Sequence, residues 1–220
     1  MHARAGLIRL LAIATALGTI AAGPITRAAT AQSDLDTRVR AFLDANRGQW
    51  RDLNVPAVDG QTLYDIIVKN KYTRALEIGT STGHSGIWIA WALSKTGGKL
   101  ITIDIDERRH RQALANFEAA GLSRFIDARL GNAHDLVPAL PGPFDFVFSD
   151  ADKDWYKNYL DAVLPKLEVG GCYTTHNVSP GRRQRGGQDG YLEYLLSLKN
   201  LETTVDTRGG GMAISYKRAK

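Results

Sequence analysis

The stretch Ala75-Leu-Glu-Ile-Gly-Thr-Ser-Thr-Gly-His-Ser-Gly86 sets Gly79 and Gly83 between an apolar run and a helical pattern. Glycine in such a turn lets backbone approach a ligand at the carboxyl end of a strand, where open α/β sheets bind small molecules. Glu77 indicates the kind of ligand. A carboxylate there would repel a pyrophosphate, but it suits an ammonium group, such as the methionyl end of S-adenosylmethionine (SAM). Ser85, at the helix start, is placed to meet that ligand's carboxylate together with free backbone N–H groups. About 25 residues past Gly79, Asp104 ends a second apolar run, where an acidic side chain accepts hydrogen bonds from both ribose hydroxyls. A nicotinamide dinucleotide would call for G-x-G-x-x-G. Here Thr80, Ser81 and Thr82 separate Gly79 from Gly83, so the second glycine is missing.

The elements that must hold these residues alternate between β-rich runs and amphipathic helices, the pattern of a parallel sheet covered on both faces. Helices are predicted over about 34–48, 58–70, 84–96, 107–120, 153–167 and 189–198, with Asp106 as a cap for the helix at 107. Strands are predicted over 74–78, 100–105, 125–130, 144–149, 172–176, 202–207 and 212–216. Arg208-Gly-Gly-Gly211 joins the last two and is too short for a crossover, so they must be antiparallel. The expected fold is α/β: a doubly wound, seven-stranded, mostly parallel, Rossmann-like sheet with a C-terminal antiparallel hairpin.

A chain of 220 residues with 44% hydrophobic content supports one well-buried domain. Residues 1–31 read as a secretory signal peptide, with Arg4 and Arg9 around an apolar run from Leu10 to Ala22 and Ala29-Thr30-Ala31 as the cleavage site. That run is too short to span a bilayer, so no stable membrane span is expected and the mature domain is 32–220. Export to the periplasm follows from the leader; a cytoplasmic chain with an apolar N-terminal helix is the alternative. Three of the 28 basic residues lie in the leader. The remaining 25 against 23 acids leave +2, which is no footprint for nucleic acid. The single cysteine, Cys172, excludes an intrachain disulfide and reads as a buried strand residue.

Leu53-Asn-Val55 with Gly60, Leu76-Glu-Ile-Gly79, Ile101-Thr-Ile-Asp104, Phe148-Ser-Asp-Ala-Asp-Lys-Asp-Trp-Tyr156 and Thr175-His-Asn-Val178 follow one another over roughly residues 53–217. In order and spacing they resemble the metal-dependent class I SAM O-methyltransferases, the group containing the catechol and caffeoyl-CoA enzymes. The resemblance implies methyl transfer from SAM to a hydroxyl of a small, catechol-like aromatic molecule. It implies cofactor contacts at Val55, Glu77, Gly79, Thr80, Ser85, Asp104, Ala133 and Asp150, with His134 beside the adenine, and a homodimer. It also implies a divalent cation, usually magnesium, with Asp150 and Asn177 as ligands and Lys153 as the general base. Without the motif, Lys153 would read as an exposed lysine at a helix start.

The family's remaining ligand is an aspartate, and this sequence has His176 there. Imidazole suits manganese, zinc, iron or cobalt better than magnesium. Three readings follow: a different metal, weak metal binding, or a metal-free site in which His176 is a base. A histidine merely hydrogen-bonded to backbone is the structural alternative. Arg182, Arg183 and Arg185, in the following Gly-rich loop, would suit an anionic substrate. Trp50, Trp155 and Tyr156 would form either an apolar substrate wall or core. His84 reads as a helix cap. A second functional class is an exported, non-catalytic binder of SAM or a small molecule, because SAM is made in the cytoplasm.

Overall fold

The computed structural model describes residues 24–181 and 190–219. Seven strands form one sheet: β1 (Arg74–Ile78), β2 (Lys99–Asp104), β3 (Ile126–Leu130), β4 (Phe144–Ser149), β5 (Leu167–His176), β6 (Leu201–Asp206) and β7 (Met212–Lys217). Their order is β3-β2-β1-β4-β5-β7-β6. The first five are parallel, and β7 runs antiparallel between β5 and β6. Strand order reverses between β1 and β4, which opens a crevice at their carboxyl ends. The apolar runs explain this placement. All six residues of β4 are buried, as a central strand covered on both faces requires.

Side chains alternate across the sheet. Leu76, Ile78 and Val147 pack with Tyr156, Tyr159 and Leu160 on one face, whereas Ala75, Phe146 and Phe148 pack with Leu63, Ile67, Ile89 and Leu93 on the other. The second face is covered by α2 (Ala57–Asn70) and α3 (His84–Thr96), and the first by α6 (Tyr156–Val163). A third cluster joins Leu35 and Val39 of α1 (Pro24–Ala45) to Ile87, Trp91 and Phe117. Phe117 belongs to α4 (Glu107–Ala120), which Asp106 caps by accepting from Arg109 N–H at 2.9 Å, as predicted.

Several bounds differ from the predicted ones. α1 starts at Pro24 rather than 34 and runs through Ala29-Thr30-Ala31, because nothing in that stretch breaks a helix. A short helix, α5 (Ala133–Ala139), was not predicted; Asn132 caps it by accepting from His134 N–H at 3.0 Å, but seven residues are too few to show a periodicity. The single helix expected over 153–167 is a 3₁₀ turn (Lys153–Trp155), then α6, then a second 3₁₀ turn (Leu164–Lys166) that contains Pro165. β5 begins five residues before position 172, in step with a register shift opposite Phe144 and Phe146. The last helix is α7 (Tyr191–Ser197). Among the described residues, no helix is long and apolar enough to cross a membrane. Residues 1–23 of the predicted leader and Arg182, Arg183 and Arg185 lie outside the described residues.

Candidate active site

A cavity of about 440 Å³ opens at the carboxyl ends of β1, β2 and β4, and Gly79, Asp104, Ala133, His134 and Asp150 contribute to its lining. That volume lies within the usual range for small-molecule sites. Gly79 has φ 101°, and a Cβ there would sit 2.8 Å from the Asp150 carbonyl oxygen. The glycine therefore meets both a conformational and a steric demand. It lets β1 and β4 close to hydrogen-bonding range, where Asp150 N–H donates to Ile78 O at 2.9 Å.

Asp104 is fixed before any ligand arrives. One carboxylate oxygen accepts from Ser81 N–H at 2.6 Å and the other from Asp106 N–H at 2.8 Å. A carboxylate oxygen has more than one lone pair, so both retain capacity for ribose hydroxyls. Leu53 and Ile105 also line the cavity while being 71% and 69% exposed, an apolar rim suited to a flat ring. Opposite that rim, His134 stacks on Trp155 at 3.6 Å between ring centroids and lies 3.2 Å from Asp152 through Nε2.

The other expected cofactor residues are placed differently. Glu77 is fully buried and does not line the cavity. The strand period puts it on the side of Ala75, under α3, where it accepts from Thr102 Oγ at 2.5 Å. Thr80 Oγ lies 2.5 Å from the same Thr102 hydroxyl. Burial pushes the Glu77 carboxyl up to about 8, against the lowering effect of hydrogen bonds from Ser85 and Thr102. In this position it braces the loop from behind. Val55 and Ser85 are also buried, and Val55 O lies 2.8 Å from His84 Nδ1. Val55 and His84 line a separate cavity of about 560 Å³ beneath α1, walled by Trp50, Trp88 and Trp91. His84 is not the expected cap: it is buried, with Trp88 Nε1 donating to its Nε2 at 3.1 Å, and Gly83 holds the cap position.

The predicted catalytic residues do converge. Lys153 Nζ donates to Asn177 Oδ1 and lies 3.3 Å from Tyr156 OH and 3.5 Å from Asp150 Oδ1. Tyr156 OH in turn donates to His176 O at 3.0 Å, tying the end of β5 to α6. Asn177 has φ 58°, a left-handed conformation that asparagine tolerates, and it turns the amide toward Lys153. Trp50, Trp155 and Tyr156 do not share one wall: Trp50 stacks on His84, Trp155 on His134, and Tyr156 is core. Cys172 is buried, and burial raises its thiol pKa, so it is no nucleophile.

His176 is buried between two carboxylates. Its Nε2 lies 2.9 Å from Asp59 Oδ2, and its Nδ1 lies 3.1 Å from Asp150 Oδ2. The second contact has ion-pair distance without hydrogen-bond alignment, so among the described residues Nδ1 is a buried polar atom with no aligned partner. Burial alone would lower the pKa of the imidazole, but the two aspartates outweigh it and hold the ring up to about 9. A proton and a cation are therefore alternatives at Nδ1. Asp150, Asn177 and this nitrogen are oxygen and nitrogen donors of the kinds a divalent ion accepts, although among the described residues no group of three or more His, Cys, Asp or Glu is placed to hold one. Asp59 is the residue that sequence reasoning missed, since it lies 117 positions away on α2 with no local motif to mark it.

The strand order and the cavity lined by Gly79 and Asp104 at the carboxyl ends of β1 and β2 define a class I SAM-dependent methyltransferase fold. A family model described as O-methyltransferase matches residues 30–181, and the chain belongs to that family. It is 40% identical to the catechol O-methyltransferase of Niastella koreensis over 107 residues, covering 47% of this chain and 48% of that protein. It is 35% identical to caffeoyl-CoA O-methyltransferase 1 of Zea mays over 128 residues, covering 56% and 49%. The matches thus span about half the length of these relatives. The O-methyltransferase TomG of Streptomyces achromogenes, involved in tomaymycin synthesis and solved in complex with SAM, superposes with TM-score 0.68 at 27% identity, covering 83% of this chain and 90% of that one.

Proposed function

We propose that the chain moves the methyl group of SAM to a hydroxyl of a small, catechol-like aromatic molecule. The observation that carries this reading is Asp150: it lines the cofactor cavity and also touches the Lys153 and His176 cluster. A methyl donor and a hydroxyl acceptor held on its two sides would meet in line, which converts a bimolecular reaction into an oriented one. The acceptor oxygen attacks the sulfonium methyl carbon, a C–O bond forms, the C–S bond breaks, and S-adenosylhomocysteine leaves. Lys153 Nζ takes the hydroxyl proton, with Asn177 and Tyr156 holding the amine in place. A divalent ion held by Asp150, His176 and Asn177 would supply positive charge that lowers the pKa of the acceptor hydroxyl.

The test is transfer of labelled methyl from SAM to a panel of catechols and hydroxycinnamoyl thioesters, with SAM binding followed by calorimetry. Transfer to a vicinal diol, and none to the corresponding doubly methylated compound, is expected. Tight SAM binding with no transfer to any acceptor would favour a non-catalytic binder.

We further propose that the mature chain begins at Gln32 outside the cytoplasm. The core contacts of Leu35 and Val39 and the Trp91 Nε1–Asp36 hydrogen bond all lie beyond the cleavage site, so cleavage leaves them intact. The mass of the native N-terminus checks this; an intact Met1 in the cytosol sinks it.

A further inference from the structure

We infer that Asp59 orients His176 as a nitrogen donor and thereby turns this chain's metal site from magnesium toward a borderline ion such as manganese, cobalt or zinc. The inference deepens the methyl-transfer reading and rests on it.

Asp59 sits in the first turn of α2 and is 1% exposed. One of its oxygens is fixed twice, by Gly210 N–H at 2.8 Å and by His176 Nε2 at 2.9 Å. The turn between β6 and β7 closes over the pair without side chains. A Cβ on Gly209 would lie 2.0 Å from Asp59 Oδ1, and one on Gly210 would lie 2.4 Å from His176 Nε2. The run of glycines in Arg208-Gly-Gly-Gly211 is therefore used for close approach to a buried carboxylate–imidazole pair, which it shields from water.

The orientation has a chemical consequence. Once a cation displaces the proton from Nδ1, an imidazole that donates its Nε2–H to a carboxylate presents the in-plane lone pair on Nδ1, the arrangement by which protein carboxylates fix metal-binding histidines. Among the described residues that Nδ1 has no aligned hydrogen-bond partner, and it faces Asp150 Oδ2 at 3.1 Å. Two ligands of one first-row ion, each bonded at about 2.1 Å, have a separation of this size. Exchanging a carboxylate for imidazole removes one negative charge and one hard oxygen, both of which magnesium needs more than the later divalent metals do. Asp59 does not reach the cavity lining and acts only through His176, so it is a positioning residue.

The experiment uses chelator-treated full chain with S-adenosylhomocysteine present, titrated calorimetrically with magnesium, manganese, cobalt and zinc chlorides. Electron spin-echo spectroscopy of the manganese-loaded protein reads ligand nitrogen directly. Wild type is expected to bind cobalt or zinc more than about tenfold tighter than magnesium and to show nitrogen modulation. His176→Asp should lose that modulation and narrow the gap to magnesium. Asp59→Asn should weaken cobalt binding by about 10- to 100-fold, with S-adenosylhomocysteine affinity unchanged. Absence of metal binding, absence of nitrogen modulation, or an unchanged metal order in His176→Asp would overturn the inference. If Asp59→Asn fails to fold, His176→Asp alone decides. Failure of S-adenosylhomocysteine to bind would instead strike the methyl-transfer reading, because that measurement is independent of metal choice.

Discussion

The loop after β1 and the end of β5 meet at Asp150, yet they are built on different principles. The first is held by backbone: Gly79 and Thr80 N–H both donate to Ile103 O, and Ser81 N–H donates to Asp104. Few side-chain identities matter there beyond glycine and two acids. The second is held by four side chains, Asp59 of α2, Lys153 of the 3₁₀ turn, and His176 and Asn177 at the end of β5, whose positions depend on one another. A backbone-built site keeps its ligand through sequence change, whereas a side-chain cluster alters its chemistry with one substitution.

The two regions should therefore fail differently. Lys153→Ala is expected to lower kcat on an accepted catechol by about 10²- to 10⁴-fold while leaving SAM affinity within about twofold. Equal losses in both quantities would show that the regions are one unit. Asp104→Ala should do the converse, weakening SAM by about 10- to 100-fold through lost hydrogen bonds to a charged acceptor, with kcat at saturating SAM little changed. Gly79→Ala should be milder in affinity but visible in stability. It forces alanine to φ 101° and sets a methyl against the Asp150 backbone, at a cost of about 1–3 kcal/mol. Thermal unfolding of the purified variant checks this.

The same contrast decides what was legible in the sequence. β1, α3, α4 and β4 are found where they were predicted, because glycines and apolar runs mark them locally. Asp104 and Gly79 line the cavity and were marked by the same local features, whereas Ala133 and Asp150, which also line it, were recognisable only through the family resemblance. Lys153 and Asn177 were recognisable only as parts of a motif. Asp59 was not recognisable at all, since its role depends on a contact between α2 and β5 that no spacing encodes. Ser81 and Asn132 contribute through backbone N–H and a helix cap, features any short polar residue provides. Glu77 was legible in identity but not in direction: its charge suggested a ligand contact, while the strand period turns it under α3.

Glu77 also gives the most delicate way to separate bracing from binding. Its carboxyl is held up to about 8 by burial, against an ordinary value of 4.5. Between those limits the folded chain retains a proton that the unfolded chain has released. The unfolded state then binds fewer protons, so stability falls as pH rises from about 4.5 to 8 and levels off above. Glu77→Gln should remove that component, leaving a ligand-free Tm profile flatter than wild type across the window. Parallel profiles would mean that Glu77 is ionised in the fold. If Glu77 only braces the loop, the variant should bind SAM almost as tightly as wild type; if it meets the SAM ammonium after a local rearrangement, SAM binding to wild type at pH 7 should release a proton. Calorimetry in buffers of different ionisation enthalpy distinguishes the two, and proton release absent from Glu77→Gln would move this residue from the support of the loop to its ligand-binding face.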